Sequence, residues 1–223
     1  VVLNPAPARE LPDELLALVD ITGISLNQPV LHYTAKPLLM PALLLLMHYS
    51  PTAPGKGLLM TGLVFAWLGD VLLMFESRHA LFFIFGLVSF LTTHVFYILY
   101  FLLIRSAAPS LLRRQPVWIA LVTGYGLTLV WQLFPKLGEM TLPVIVYAIV
   151  ICSMLLSSLH VFLKINRKAA LLFAAGAVCF VLSDSLLAVN KFYQPFAYAG
   201  LFIMLTYCAA QYFIVSGYIN RKS

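Results

Sequence analysis

Seven long apolar runs dominate this chain, at about residues 31–49, 57–75, 80–104, 116–134, 140–163, 169–189 and 195–219. Each approaches the roughly 20 residues that an α-helix needs to cross the hydrocarbon core of a bilayer. Within that core every backbone N–H and C=O must be satisfied by the protein itself, so only helices and closed barrels can span it. The runs are continuous rather than alternating, which excludes a barrel. Charged residues make up only 10% of the chain, against about 25% in a soluble domain. The sequence therefore predicts an all-α, polytopic membrane helix bundle.

Residues 1–30 are different in kind. Pro5, Pro7, Pro12, Glu10, Asp13, Glu14 and Asp20 interrupt any crossing there. This segment reads as the remnant or end of a further helix, which would raise seven spans to eight. Residues 31–219 form one transmembrane domain, and 220–223 a short tail. The basic residues set orientation. One side collects Lys56, Arg105, Arg113, Arg114, Lys164, Arg167, Lys168, Arg221 and Lys222; the other has Arg78, Lys136 and Lys191, with Lys36 at a span edge. The richer side is expected to be cytoplasmic, C-terminus included, in a bacterial inner membrane. The formal charge of +6 is thus an orientation signal and does not point to nucleic acid. Cys152, Cys179 and Cys208 fall inside apolar runs and read as packing residues.

Two acids stand out against this background. Asp70 lies in Leu68-Gly69-Asp70-Val71-Leu72-Leu73, and Asp184 in Leu182-Ser183-Asp184-Ser185-Leu186-Leu187. A carboxylate at the centre of a bilayer costs roughly 2.5–3.5 kcal/mol on insertion scales, so an acid there points to function by default. Both spans run outward, and both acids sit about 9–10 Å below the same surface at 1.5 Å of rise per residue. The frames are 114 residues apart, and Ser89…His94 resembles Thr206…Gln211 at an offset of 117. Lys36-Pro37 and Leu142-Pro143 open corresponding spans. The pattern suggests a parallel four-plus-four repeat, which transporters also use.

If the two acids face each other, they offer a protonated and an ionised carboxyl together, as acid/base hydrolysis requires. The structural alternative is that each pairs with a lysine or caps a neighbouring helix. Lys36 suits a lipid phosphate or an interfacial anchor. Asn190 and Lys191 stand at the mouth above Asp184, where Lys191 also suits a helix C-terminus. His94 and Gln211 lie at mid-membrane depth, and Tyr147 about two turns into its span. His94 reads as an interhelical hydrogen-bond partner or as a ligand; Tyr147, Thr206 and Tyr207 read as packing or hydrogen-bonding residues. No phosphate-binding glycine loop, H-E-x-x-H or nucleophile-elbow motif occurs. A metal would need about three ligands, for which Asp70, Asp184 and His94 are the candidates; the reading favoured here uses no metal or cofactor.

At these positions the chain resembles a known family. The stretches Thr34-Ala35-Lys36-Pro37-Leu38-Leu39-Met40-Pro41, Ala66 to Met74, Phe85 to Phe90 with His94 to Ile98, Gly176 to Asp184 with Asn190-Lys191-Phe192, and Thr206 to Gln211 with Ile214-Val215 are similar to motifs of the YhhN/TMEM86 family of lysoplasmalogenases. The resemblance covers about residues 31–217, in order; the family's first helix is not recognisable. It implies a membrane hydrolase that cleaves the vinyl-ether bond of a lysoplasmalogen. The products would be a fatty aldehyde and glycerophospho-ethanolamine or glycerophospho-choline. Its partners would be the lysophospholipid, water and surrounding lipids, with no nucleic acid. Asp70 and Asp184 would be catalytic, Lys36 would hold the phosphate, and His94, Tyr147, Asn190 and Gln211 would line the pocket. The competing readings are a lipid or proton-coupled transporter, a sensor, and a metal-assisted lipid amide or ester hydrolase.

Overall fold

The computed structural model describes residues 40–104 and 106–221. Among the described residues all regular structure is helical. In chain order the helices are α1 (Met40–Tyr49), α2 (Lys56–Met74), α3 (Ala80–Leu103), the single turn α4 (Leu111–Arg114), α5 (Val117–Leu137), α6 (Thr141–His160), α7 (Arg167–Ala188) and α8 (Ala199–Asn220). A 3₁₀ turn, Gly138–Met140, joins α5 to α6, and a π-helical turn, Val189–Tyr193, extends α7. The expected extra helix within residues 1–30 and the whole 31–39 stretch, Lys36 included, lie outside the described residues.

Among the described residues five segments are long and apolar enough to cross a membrane. The third, Val117–His160, is 44 residues long and folds back on itself. Cys152 Sγ lies 3.9 Å from the Val122 carbonyl, and Leu133, Leu137 and Val144 cluster beside the turn. The segment is therefore two antiparallel helices of 21 and 20 residues, each about 30 Å long at 1.5 Å per residue. Helix formation in these runs owes little to propensity, since they are rich in Val, Ile and Phe. It follows from the need to close every backbone hydrogen bond in a medium without water. Polar caps appear only at the ends, where His79 Nδ1 accepts from Leu81 N–H at 3.2 Å and Asn166 Oδ1 from Ala169 N–H at 2.9 Å.

Side-chain bonds tie the two ends of the bundle. At the end rich in Lys and Arg, the Tyr218 hydroxyl accepts from Ala53 N–H at 2.9 Å and donates to the Pro51 carbonyl at 3.0 Å. Arg221 donates to the Tyr100 hydroxyl at 3.0 Å and Lys56 to the His48 carbonyl at 2.8 Å. At the opposite end Lys191 meets Glu76 at 3.2 Å, and Lys136 donates to the Tyr193 carbonyl at 2.7 Å. The outer faces are apolar, with Leu127 66% and Trp131 76% exposed on α5. Such a belt suits lipid contact, which a membrane protein needs and a soluble one avoids.

The closest packing is in two hairpins, α2 with α3 and α7 with α8. Small residues set it, as is common where no hydrophobic drive separates helix from lipid. A Cβ placed on Gly62 would fall 2.5 Å from the Tyr97 ring, and one on Gly69 would fall 2.8 Å from the Phe90 ring. Thr93 on α3 donates to the Gly62 carbonyl at 3.0 Å. In the second hairpin a Cβ on Gly176 would meet Ile214 at 2.8 Å and the Ala210 carbonyl at 3.0 Å. Gly62→Ala should cost about 1–3 kcal/mol by overpacking against a ring that has no space to move. Gly57→Ala, with nothing within 4 Å of the new methyl, should be neutral or stabilising. Thermal unfolding in detergent decides; equal midpoints for the two variants would remove the close approach as a determinant of stability.

Candidate active site

Helix α2 carries Asp70 one turn before its end at Met74, and α7 carries Asp184 one turn before Ala188. Each hairpin thus brings one acid to the same end of the bundle. The two line one cavity of about 270 Å³, together with Glu76, Asn190, Gly200 and Tyr207. Asp70 is 2% exposed, while the Asp184 side chain is 17% exposed.

Neither acid is buried without donors. Tyr207 of α8 donates its hydroxyl proton to Asp70 Oδ2 at 2.7 Å. Behind it, Gln211 lies one turn along α8. Its Oε1 accepts from the Tyr97 hydroxyl at 2.7 Å, and its Nε2 reaches the Tyr207 oxygen at 3.4 Å. Phe90 and Phe180 meet the Tyr207 ring edge-on, each with centroids 5.8 Å away. Asp184 Oδ2 accepts from the Tyr147 hydroxyl of α6 at 2.6 Å and lies 3.1 Å from His94 Nε2 of α3. A proton on Nε2 lets His94 donate to the carboxylate, a tautomer assigned from its partners. His94 Nδ1 is then a bare acceptor, and it is the buried side-chain atom that lacks a partner among the described residues. Phe180 and Tyr147 hold the imidazole edge-on at centroid distances of 5.1 and 5.6 Å.

The anticipated pocket residues thus divide by layer. Asp70, Asp184 and Asn190 border the 270 Å³ cavity. The Asn190 side chain also accepts from Phe196 N–H at 3.3 Å, closing the link into α8. Tyr147 borders two narrower slots of about 40 and 50 Å³ that also reach Asp184. Leu73, Leu87 and Phe192 wall the first; Leu129, Leu133 and Ile151 wall the second. His94 and Gln211 are completely buried behind this surface; His94 meets Asp184 itself, while Gln211 reaches Tyr207, the partner of Asp70. Tyr207, which the sequence marks as a packing or hydrogen-bonding residue, both donates to Asp70 and borders the cavity. Its signal was its position one turn before Gln211, on the same helical face. Among the described residues no three His, Cys, Asp or Glu side chains converge as metal ligands.

Two carboxyls around one cavity of about 270 Å³, with apolar slots leading to one of them, can protonate an apolar-tailed substrate and deliver water. The Gln211 network can be tested separately from any chemistry. Gln211→Leu would strand the buried Tyr97 hydroxyl and should cost about 1–3 kcal/mol. Unfolding in detergent measures it; an unchanged midpoint would mean that the network bears no weight.

The chain matches the model of the YhhN family over residues 31–218. It is 36% identical over 139 residues to a lysoplasmalogenase of Mycobacterium tuberculosis (strain CDC 1551 / Oshkosh), covering 61% of this chain and 51% of that protein. It is 32% identical over 173 residues to human lysoplasmalogenase TMEM86A, covering 76% of this chain and 68% of the relative. For human lysoplasmalogenase TMEM86B the identity is 34% over 165 residues, covering 74% and 65%. The match thus spans about half the length of the mycobacterial relative. No solved structure matches the chain.

Proposed function

The chain belongs to the YhhN family, and from that premise we propose that it is a membrane hydrolase cleaving the vinyl-ether bond of lysoplasmalogens. The observation that carries the reading is that Asp70 and Asp184, from two different hairpins, line one cavity. The names of the relatives, lysoplasmalogenase in each case, give the substrate class. The products are a fatty aldehyde and glycerophospho-ethanolamine or glycerophospho-choline.

The chemistry follows from the bond. A vinyl ether is protonated at its β-carbon, which leaves an oxocarbenium ion. Two donors on one oxygen of Asp184 suit its ionised form, so Asp70 is the proton donor and Asp184 the anion beside the developing cation. Preorganised charge of this kind is often the largest catalytic term. Asp184 then takes a proton from the water that adds to the cationic carbon. The resulting hemiacetal returns its hydroxyl proton to Asp70, while Asp184 protonates the departing glycerol oxygen. Water is consumed, both acids return to their starting states, and no covalent enzyme intermediate forms.

We infer seven or eight crossings in a parallel four-plus-four repeat, with the C-terminus cytoplasmic in a bacterial inner membrane. Gly62 packs on Tyr97, and Gly176 packs on Ile214, at the offsets of 114 and 117 found between the two acids and the two later motifs.

Purified protein is incubated with lysoplasmalogen and, separately, with its saturated ether analogue, and products are read by mass spectrometry. Aldehyde is expected from the vinyl ether alone. Asp70→Asn and Asp184→Asn should each lose turnover by at least about 10²-fold, the lower range for a lost acid or base, while remaining folded. Full activity in either variant removes that residue from the mechanism. In D₂O, aldehyde trapped by reduction should carry one deuterium at C2, the former β-carbon. Unlabelled C2 would rule out protonation as the opening step.

A further inference from the structure

A second, larger cavity lies at the same end of the bundle, outside the acid pair, and its chemistry is cationic. It measures about 490 Å³ and is lined by Glu76, Ser77, Arg78, His79, Lys191 and Phe192, among others. Lys191 holds Glu76 at 3.2 Å and stands 4.7 Å over the Phe83 ring. Arg78 lies 5.0 Å over the Phe75 ring and makes no ion pair among the described residues. His79 Nδ1 accepts the Leu81 N–H at the start of α3, which assigns the ring proton of the neutral imidazole to Nε2. Three donors therefore converge on one space with a single carboxylate among them.

This cavity shares walls with two of the spaces that reach the acids. It shares Phe83 and Phe192 with the apolar slot that ends at Tyr147 and Asp184, and Glu76 with the 270 Å³ cavity. Along the helices, Asp70 is six residues from Glu76 and Asp184 seven from Lys191, or about 9–10 Å of rise. In a lysoplasmalogen seven covalent bonds separate phosphorus from the vinyl β-carbon, about 9 Å when extended. The geometry points to Arg78, His79 and Lys191 as the subsite that binds the phosphate of the lysophospholipid headgroup. With the phosphate there, the vinyl ether reaches the aspartates and the hydrocarbon tail follows the apolar slot. A guanidinium and an ammonium are suited to a phosphodiester, the first by its fork of N–H groups and the second as a point charge.

The inference rests on the lysolipid reading of the site, and its test is kept independent of turnover. Binding to the full chain in detergent is measured by calorimetry for a saturated-ether lysophosphoethanolamine and for the alkylglycerol of the same chain length. Wild type should prefer the phosphate-bearing ligand by about 10- to 100-fold, the range for charge-assisted hydrogen bonds. Arg78→Gln with Lys191→Gln should abolish that preference and leave alkylglycerol affinity unchanged. Ser77→Glu, which adds a negative charge at the cavity rim without removing a contact, should weaken the phospholipid alone. Equal weakening of both ligands, or an unaltered preference in either variant, overturns the proposal. Inorganic phosphate and glycerophosphoethanolamine separate the sources of the anion. Competition by glycerophosphoethanolamine that exceeds that of phosphate supports a headgroup site, and equal competition overturns it in favour of a plain anion site. A wild type that shows the preference yet cleaves no vinyl ether would refute the proposed reaction while leaving the subsite standing.

Discussion

A carboxyl group inside an apolar bundle is tolerable only where hydrogen-bond donors are already waiting, and this requirement organises the helices around it. Asp70 on α2 takes a phenol from α8, and Asp184 on α7 takes a phenol from α6 and an imidazole from α3. Five helices must therefore reach one depth in one rotational setting. Helix α5 turns a broad apolar surface outward, Leu127 and Trp131 included. The glycine contacts of the two hairpins serve the same end. They bring helix axes close enough for side chains as short as aspartate to meet partners on neighbouring helices.

The aspartates are legible in the sequence because charge in an apolar run is rare and expensive, whatever the fold. The helix ends are legible for a related reason: Pro, Gly and basic residues collect where the chain leaves the hydrocarbon. Depth along each helix could also be counted, so Tyr147, His94 and Gln211 were expected near the acids. What could not be counted was rotation. These helices are apolar all round, so the sequence does not say which residues face a cavity and which lie behind it. Thus His94 and Gln211, read as cavity residues, lie a layer deeper. Tyr207, one tyrosine among 11, meets an acid 137 positions away. That contact depends on which hairpins dock, and pairing of hairpins leaves no local trace. The Glu76–Lys191 contact, 115 positions apart, is hidden for the same reason.

The hydrogen bonds also divide the labour between two kinds of neighbour. Tyr147 and Tyr207 touch the acids directly, whereas Gln211 and Tyr97 fix the orientation of Tyr207 from behind. A phenol can rotate its hydroxyl between acceptors. A buried amide that also takes part in the chain removes some of that freedom and keeps the donor aimed at the acid.

The two sides of the acid cavity differ mechanically. Beside Asp70, Gly69 lies so close to the Phe90 ring that a single added carbon would collide at 2.8 Å. Across the cavity, Gly200 has nothing within 4 Å of where its Cβ would be, and the segment leading to it passes through a π-helical turn and a left-handed Tyr198 at φ 60°. One wall is therefore closed to any added atom, and the other has room for one. A larger side chain is thus accepted at Gly200 and refused at Gly69, so the cavity can be narrowed by substitution from the α8 side without disturbing the packing beside Asp70.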